Sequence, residues 1–244
     1  MASFERVRLT HNGSKTDLRE SENPLKKLIT MVAGLFALCA APAPMQAWAD
    51  DTGQWFVKPG ITQLTMEKKL DLTVAGQPVP GAELDTKPTT TLSVAIGRYV
   101  SPHWAVVVTV GIPPRLDANG GGTIAPYGKL MEPTFGPMAL TAQWHPVATG
   151  VVRPYAGLGA AYMIIFKTRD GAVEQAHMTN DLAPVAELGS DFMINQKQGF
   201  YIDFKKALLE TKATGNLFGA PIYPVVGKAY VHPLVATAGL TFKF

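Results

Sequence analysis

Cysteine is almost missing from this sequence. Of 244 residues only Cys39 carries a thiol, so neither a disulfide framework nor a multi-cysteine metal site can be built. Charge is sparse as well, at 17% of residues with the two signs nearly balanced, and no basic stripe offers a nucleic acid a place to dock. Long apolar runs are lacking: the one extended charge-free stretch, Leu28 to Ala49, is interrupted by Pro42 and Pro44, which excludes a multi-helix membrane protein. No helical period survives across the chain, against a coiled coil, and a hydrophobic content of 47% excludes a disordered one. No Cys or His group has metal-ligand spacing. The run Asn119-Gly120-Gly121-Gly122 lacks the strand-to-helix switch a phosphate loop requires and reads as a flexible loop tip. No cofactor is expected.

What is present begins with a targeting segment. Lys26 and Lys27 precede the apolar run Leu28 to Ala41, and Ala47-Trp48-Ala49 places small residues where a signal peptidase needs them, just before Asp50. The expected organisation is a signal peptide with an extended polar n-region over 1–49 and a mature domain over 50–244. Cys39 falls in the removed part, and Leu38 before it is too large for a lipoprotein acylation site. Cleavage leaves 16 basic against 15 acidic residues, so the precursor's excess of positive charge nearly disappears.

In the mature chain, eight segments alternate apolar and polar residues with period two: Gln54 to Glu67, Thr89 to Val100, Trp104 to Ile112, Thr134 to His145, Arg153 to Phe166, Pro184 to Asn195, Gly199 to Lys212 and Leu234 to Phe244. Connections at 101–103, 146–152 and 196–198 are short, whereas those at 68–88, 113–133, 167–183 and 213–233 are long. Short turns alternating with long ones are the mark of an outer-membrane barrel, with an even strand number placing both chain ends on the periplasmic side. Ten residues at about 3.3 Å each, tilted by about 40–45°, rise roughly 24 Å, the height of such a barrel's apolar band. The fold class expected is therefore all-β, an eight-stranded antiparallel transmembrane β-barrel.

The two parities assign the faces. Phe200, Ile202, Phe204 and Leu208, like Leu240, Phe242 and Phe244, are expected to meet lipid, while Glu187, Asp191, Asp203, Lys205 and Lys243 point into the lumen. Those five carry nearly balanced charges that can pair across strands, as an unpaired charge in a narrow lumen is costly. Trp55, Tyr99, Trp104, Trp144, Tyr155 and Phe244 sit near expected periplasmic ends and Phe166 near an external end, as an aromatic girdle would. His145 reads as an interfacial polar residue. Pro59-Gly60 is expected to insert a bulge that shifts the first strand's parity, and Arg98 to lie past a bulge or to reach for headgroups.

Two stretches go further. Gly136-Pro137-Met138-Ala139-Leu140-Thr141-Ala142-Gln143-Trp144-His145, followed after a short turn by Arg153-Pro154-Tyr155-Ala156-Gly157-Leu158-Gly159, resembles the OmpW family of eight-stranded outer-membrane proteins, and Trp55 to Gly60 looks like that family's first strand. The end of the chain, with Gly239, Phe242 and terminal Phe244, matches the signal read by the barrel assembly machinery. The resemblance implies uptake of small apolar ligands through a loop-walled channel, with exit sideways into the membrane. The expected surroundings are outer-membrane lipids and lipopolysaccharide.

The ligand-channel candidates are Leu130, Met131, Leu217, Phe218 and Ile222 in unusually apolar external connections, together with Pro137 and Trp144. Pro137 cannot donate a ladder hydrogen bond and so either kinks the wall or opens a lateral gap, unless it marks an ordinary bulge. Alternatively the loop residues simply pack as a cap. Two other classes compete. A structural or adhesive barrel would bind partners through polar loops and need no tunnel. An acyl-transferring enzyme would need a serine near His177 or His232, but Ser93, Ser101 and Ser190 all lie outside the long connections, so no enzyme is expected. Intact-mass measurement of the protein recovered from outer membranes should give a chain beginning at Asp50. A chain retaining residues 1–49 would contradict the secretory reading.

Overall fold

The computed structural model describes residues 51–218 and 223–244; the expected signal peptide at 1–49 and the channel candidate Ile222 lie outside the described residues. Eight strands form the barrel: β1 (Trp55–Thr65), β2 (Thr89–Ser101), β3 (Trp104–Gly111), β4 (Lys129–Trp144), β5 (Val152–Asp170), β6 (Asp181–Met193), β7 (Gln198–Ala207) and β8 (Leu234–Lys243). Each pairs antiparallel with its neighbours in sequence, and β1 pairs with β8 to close the ring. Closure satisfies the backbone donors and acceptors that a bilayer would otherwise leave bare. At the seam Trp55 and Phe244 exchange backbone hydrogen bonds of 3.0 and 2.9 Å, fixing the two ends of the barrel together.

The faces follow the period-two reading. Leu158 and Ile61 are 72% and 62% exposed, as are large parts of Leu92, Val106, Leu140, Leu182 and Phe200, all on outward parities. A water-soluble domain would forgo about 1.5–3 kcal/mol for each such side chain left unburied, whereas here lipid covers them. Trp55, Trp104, Trp144 and Phe244 ring the end with the short turns, and Phe166 is exposed toward the other end. Arg98 lies outward over the Trp55 ring, 5.7 Å from its centroid, at headgroup level.

Three expectations need correction. Pairing of β1 with β2 runs in unbroken register through Pro59 and Gly60, so no bulge shifts parity, and Phe56, Lys58, Thr62 and Leu64 all point inward. Tyr99 and Tyr155 belong to the lumen rather than the girdle: both are buried, because each is on the inward parity of its strand. His145 is buried between them, its ring 5.3 Å from that of Tyr99 and 5.2 Å from that of Tyr155.

The long connections fold into sheet. The strands Val173–Met178, Glu210–Leu217, Pro224–Tyr230, Leu70–Val74 and Gln77–Pro78 line up in that order as a second, five-stranded sheet above the barrel. Ala82–Asp85 pairs with Ala118–Gly122, which in turn joins β4. The glycine run is therefore a strand and not a flexible tip. Gly122 has φ +57°, and a Cβ there would strike the Gly81 carbonyl, which explains why side chains are dispensed with where that strand turns.

Close approach also governs β5. A Cβ on Gly159 would run into the Leu140 carbonyl oxygen across the β4–β5 ladder. Gly159→Ala should lower the unfolding free energy by about 1–3 kcal/mol. Urea titration of the barrel in lipid vesicles measures this, and unchanged stability would contradict so tight a packing of β4 on β5.

Candidate functional site

The interior is divided across its height. Toward the periplasm, inward positions are charged and hydrogen-bonded; toward the outside, the same parities carry small or apolar residues.

The floor is built from side chains of six strands. Lys58 on β1 lies 2.8 Å from Asp191 on β6, and Thr241 on β8 donates to Asp191 at 3.0 Å. Lys205 on β7 lies 2.9 Å from Glu187 and also contacts Asp203, while Gln143 on β4 donates to Glu187 at 2.7 Å. The Tyr155 hydroxyl donates to Asp203 at 3.0 Å. Arg153 and Lys243 both grip Asp51, just ahead of β1. All five lumen charges expected from sequence thus sit in this network. Reading the sequence missed Lys58, Arg153, Asp51 and Gln143, of which Lys58 would have shown itself had Pro59 not suggested a bulge. The space left amid Lys58, Tyr155, Glu187 and Asp203 is about 10 Å³. That is roughly the room one water needs.

Above it lies an apolar cavity of about 70 Å³ inside the barrel, walled by Leu64, Phe135, Ala139, Ala161, Met163 and Val185 and reaching Thr62, Ser93 and Lys205 at its base. A second cavity of about 60 Å³ is enclosed by the external strands, with Leu70, Leu84, Leu116, Leu130, Met131 and Val225 in its wall. Both include Met66, so the two are stacked. The alanines create the lower space: Ala139, Ala161 and Ala207 line it on inward parities where larger residues would fill the lumen.

The lower cavity also touches the wall. Pairing between β3 and β4 ends at Val110 with Met138, and the register has shifted by one residue where Phe135 N–H donates to the Pro114 carbonyl at 3.3 Å. Between them lie Gly111, Ile112 and Pro113 on one side and Gly136 and Pro137 on the other. Neither proline has an N–H, and Ile112 bonds instead to Leu92 on β2 at 2.8 Å. Gly111, Pro137 and Met138 all line the cavity, and Met138 is exposed on the outer face.

Of the channel candidates, Leu130 and Met131 line the upper cavity and Pro137 the lower one. Leu217 packs against the same cluster as Leu130. Phe218 is exposed, with its ring 5.8 Å from that of Tyr127, and Trp144 faces outward beside its register partner Trp104 at the periplasmic end, away from both cavities. Gly239 faces inward, and Phe242 and Phe244 are exposed on the outer surface. His232 pairs with Glu67 at 3.1 Å and stacks edge-on against Tyr230; among the described residues, neither it nor His177 is hydrogen-bonded to a serine.

Glu67 edges the upper cavity beyond the outer end of β1, clear of the lipid-facing band. Its carboxylate accepts from Lys206 at 2.6 Å, and this bond, with His232 beside it, holds the group below its ordinary value of 4.5. A carboxyl lowered in the folded state adds stability above the unfolded value and loses it as pH falls through the folded one. Below about pH 4.5 the wild-type barrel should therefore lose a part of its stability that Glu67→Gln never had, which unfolding measurements across pH would show. In the floor, Lys205→Met strands Glu187 and Asp203 and should cost about 3–5 kcal/mol in the same assay. Adding Glu187→Gln and Asp203→Asn to it should recover most of the loss.

Comparison with known proteins agrees with this architecture. The family model described as "OmpW family" matches residues 51–244. The chain is 32% identical over 193 residues to the dibenzothiophene metabolism operon protein PahQ of Pseudomonas aeruginosa, spanning 79% of this chain and 88% of that one. It is 28% identical to outer membrane protein AlkL of Ectopseudomonas oleovorans, over 86% of this chain and 93% of the relative. Among solved structures, outer membrane protein OprG of Pseudomonas aeruginosa superposes with a TM-score of 0.74 at 21% identity, covering 80% of this chain and 98% of OprG. The chain, a closed barrel of eight strands in the outer membrane, belongs to the OmpW family.

Proposed function

We propose that this barrel takes up small apolar molecules at its outer end and releases them sideways into the membrane between β3 and β4. The observation that carries the reading is the arrangement of the interior: two stacked apolar cavities end below on paired charges and beside on the stretch of wall where the β3–β4 ladder ends. An apolar solute gains by leaving water for the upper cavity, at about 25 cal/mol per Å² of surface buried. Going on through the floor would require parting ion pairs already out of water, which costs several kcal/mol. The lateral exit at Pro137 and Met138 leads to hydrocarbon. Cavities of this size admit a slim molecule only as the walls give, so the external sheet must move during uptake.

The relatives support this reading. PahQ takes its name from an operon for metabolism of dibenzothiophene, a fused and almost wholly apolar heteroaromatic. External strands of a scaffold or adhesin would need only a filled apolar core, whereas here about 60 Å³ is left open in it.

Uptake of a medium-chain alkane or a small aromatic into vesicles tests the proposal. Ala161→Phe, which fills the lower cavity, should bring uptake close to that of protein-free vesicles while the barrel stays folded. Pro137→Val, with Pro113→Val, restores two N–H groups to the seam and should slow release. Unaltered uptake in both variants would overturn the channel and leave the adhesive reading.

A further inference from the structure

A row of cations lies on the outer surface just where the lipid-facing band ends. Arg115 bridges to Thr134 on β4, and Thr134 pairs with Lys167 on β5, so the three residues lie side by side across neighbouring strands. With strands about 4.8 Å apart, the backbones of Arg115 and Lys167 stand roughly 10 Å from each other with the threonine between. Arg115 and Lys167 are exposed, and among the described residues neither has a carboxylate partner.

The level of the row is set by its neighbours. Phe166 is the extra residue of a bulge, since Phe135 pairs with Ile165 and Thr134 with Lys167. Its exposed ring lies over Gly136, where an added Cβ would strike it, so the ring rests on the outer face of the wall. Aromatic rings in such positions mark the headgroup level. Lys167 follows directly. On the other side Ile112 is the last exposed aliphatic residue before Arg115.

One step farther out, charges are consumed among themselves. Arg169 lies 3.0 Å from Glu132, and Lys129 lies 2.5 Å from Asp117 and 3.3 Å from Glu132. That row has no net charge to offer, whereas the one at Arg115 and Lys167 is doubly positive. An arginine fork, an ammonium and a hydroxyl at the border of hydrocarbon and water match a phosphate carried on a lipid.

We infer that Arg115, Thr134 and Lys167 form a docking site for the phosphate of an outer-leaflet glycolipid, the lipid A part of lipopolysaccharide. Acyl chains then lie along the apolar wall beneath, with Phe166 at the join. The site is independent of the channel, and holds whether or not solutes pass.

The test uses the mature barrel in detergent micelles, with bound lipid followed by native mass spectrometry. Bisphosphorylated lipid A should be retained, and Arg115→Gln with Lys167→Gln should weaken it roughly 30-fold, at about a factor of five for each cation. The charge-conserving pair Arg115→Lys with Lys167→Arg should keep most of the binding, which separates lost charge from lost folding. Lys87→Gln with Lys212→Gln removes two exposed cations from other elements and should have no effect. Lipid A stripped of phosphate should bind as weakly to wild type as the intact lipid does to the Arg115 and Lys167 double variant. Equal binding of the stripped lipid, or equal loss in the Lys87 and Lys212 variant, would overturn the site. Inorganic phosphate competing as well as the lipid would mean a free-anion site and overturn the assignment to a membrane partner.

Discussion

Inside a bilayer a stray N–H or C=O has no water to turn to, and the rest of this molecule is arranged around that scarcity. Ring closure by β1 and β8 answers it for the wall. The same scarcity makes the end of the β3–β4 ladder informative. Between Gly111 and Pro113 on one side and Gly136 and Pro137 on the other, the ladder is interrupted where two prolines have already removed the donors. A break without proline would leave donors unsatisfied in hydrocarbon.

The interior obeys a second rule, that charges withdrawn from water must find each other. Lys58 with Asp191, Lys205 with Glu187 and Asp203, and Arg153 and Lys243 with Asp51 satisfy it strand against strand. These contacts tie β1, β5, β6, β7 and β8 across the barrel as well as around it. Above them the cavity wall is lined mainly by Leu64, Phe135, Met163, Val185 and alanines rather than by charges.

Much of this was legible in the residues. Strict alternation over β6, β7 and β8 named both the lipid face and five lumen charges, because a barrel strand has two environments and two parities. What stayed hidden has physical reasons. Tyr99 and Tyr155 were read as girdle residues since distance from a strand end does not reveal facing, and a one-residue error in parity reverses every assignment. Pro59 suggested a bulge, but β1 keeps its register, since a missing N–H need not add a residue. The polar-lumen rule hid the apolar upper half: Ala139, Ala161, Ala183 and Ala207 are too small to signal a face. The external sheet was missed because its strands are short and their register is set by partners distant in the chain, such as Leu70–Val74 beside Pro224–Tyr230.

The floor also matters to the cell that carries the barrel. With about 10 Å³ among its side chains it leaves room for about one water, and its charges are already paired with one another. On the proposed reading, a barrel plugged in this way can be inserted in many copies while the outer membrane stays an electrical and osmotic insulator.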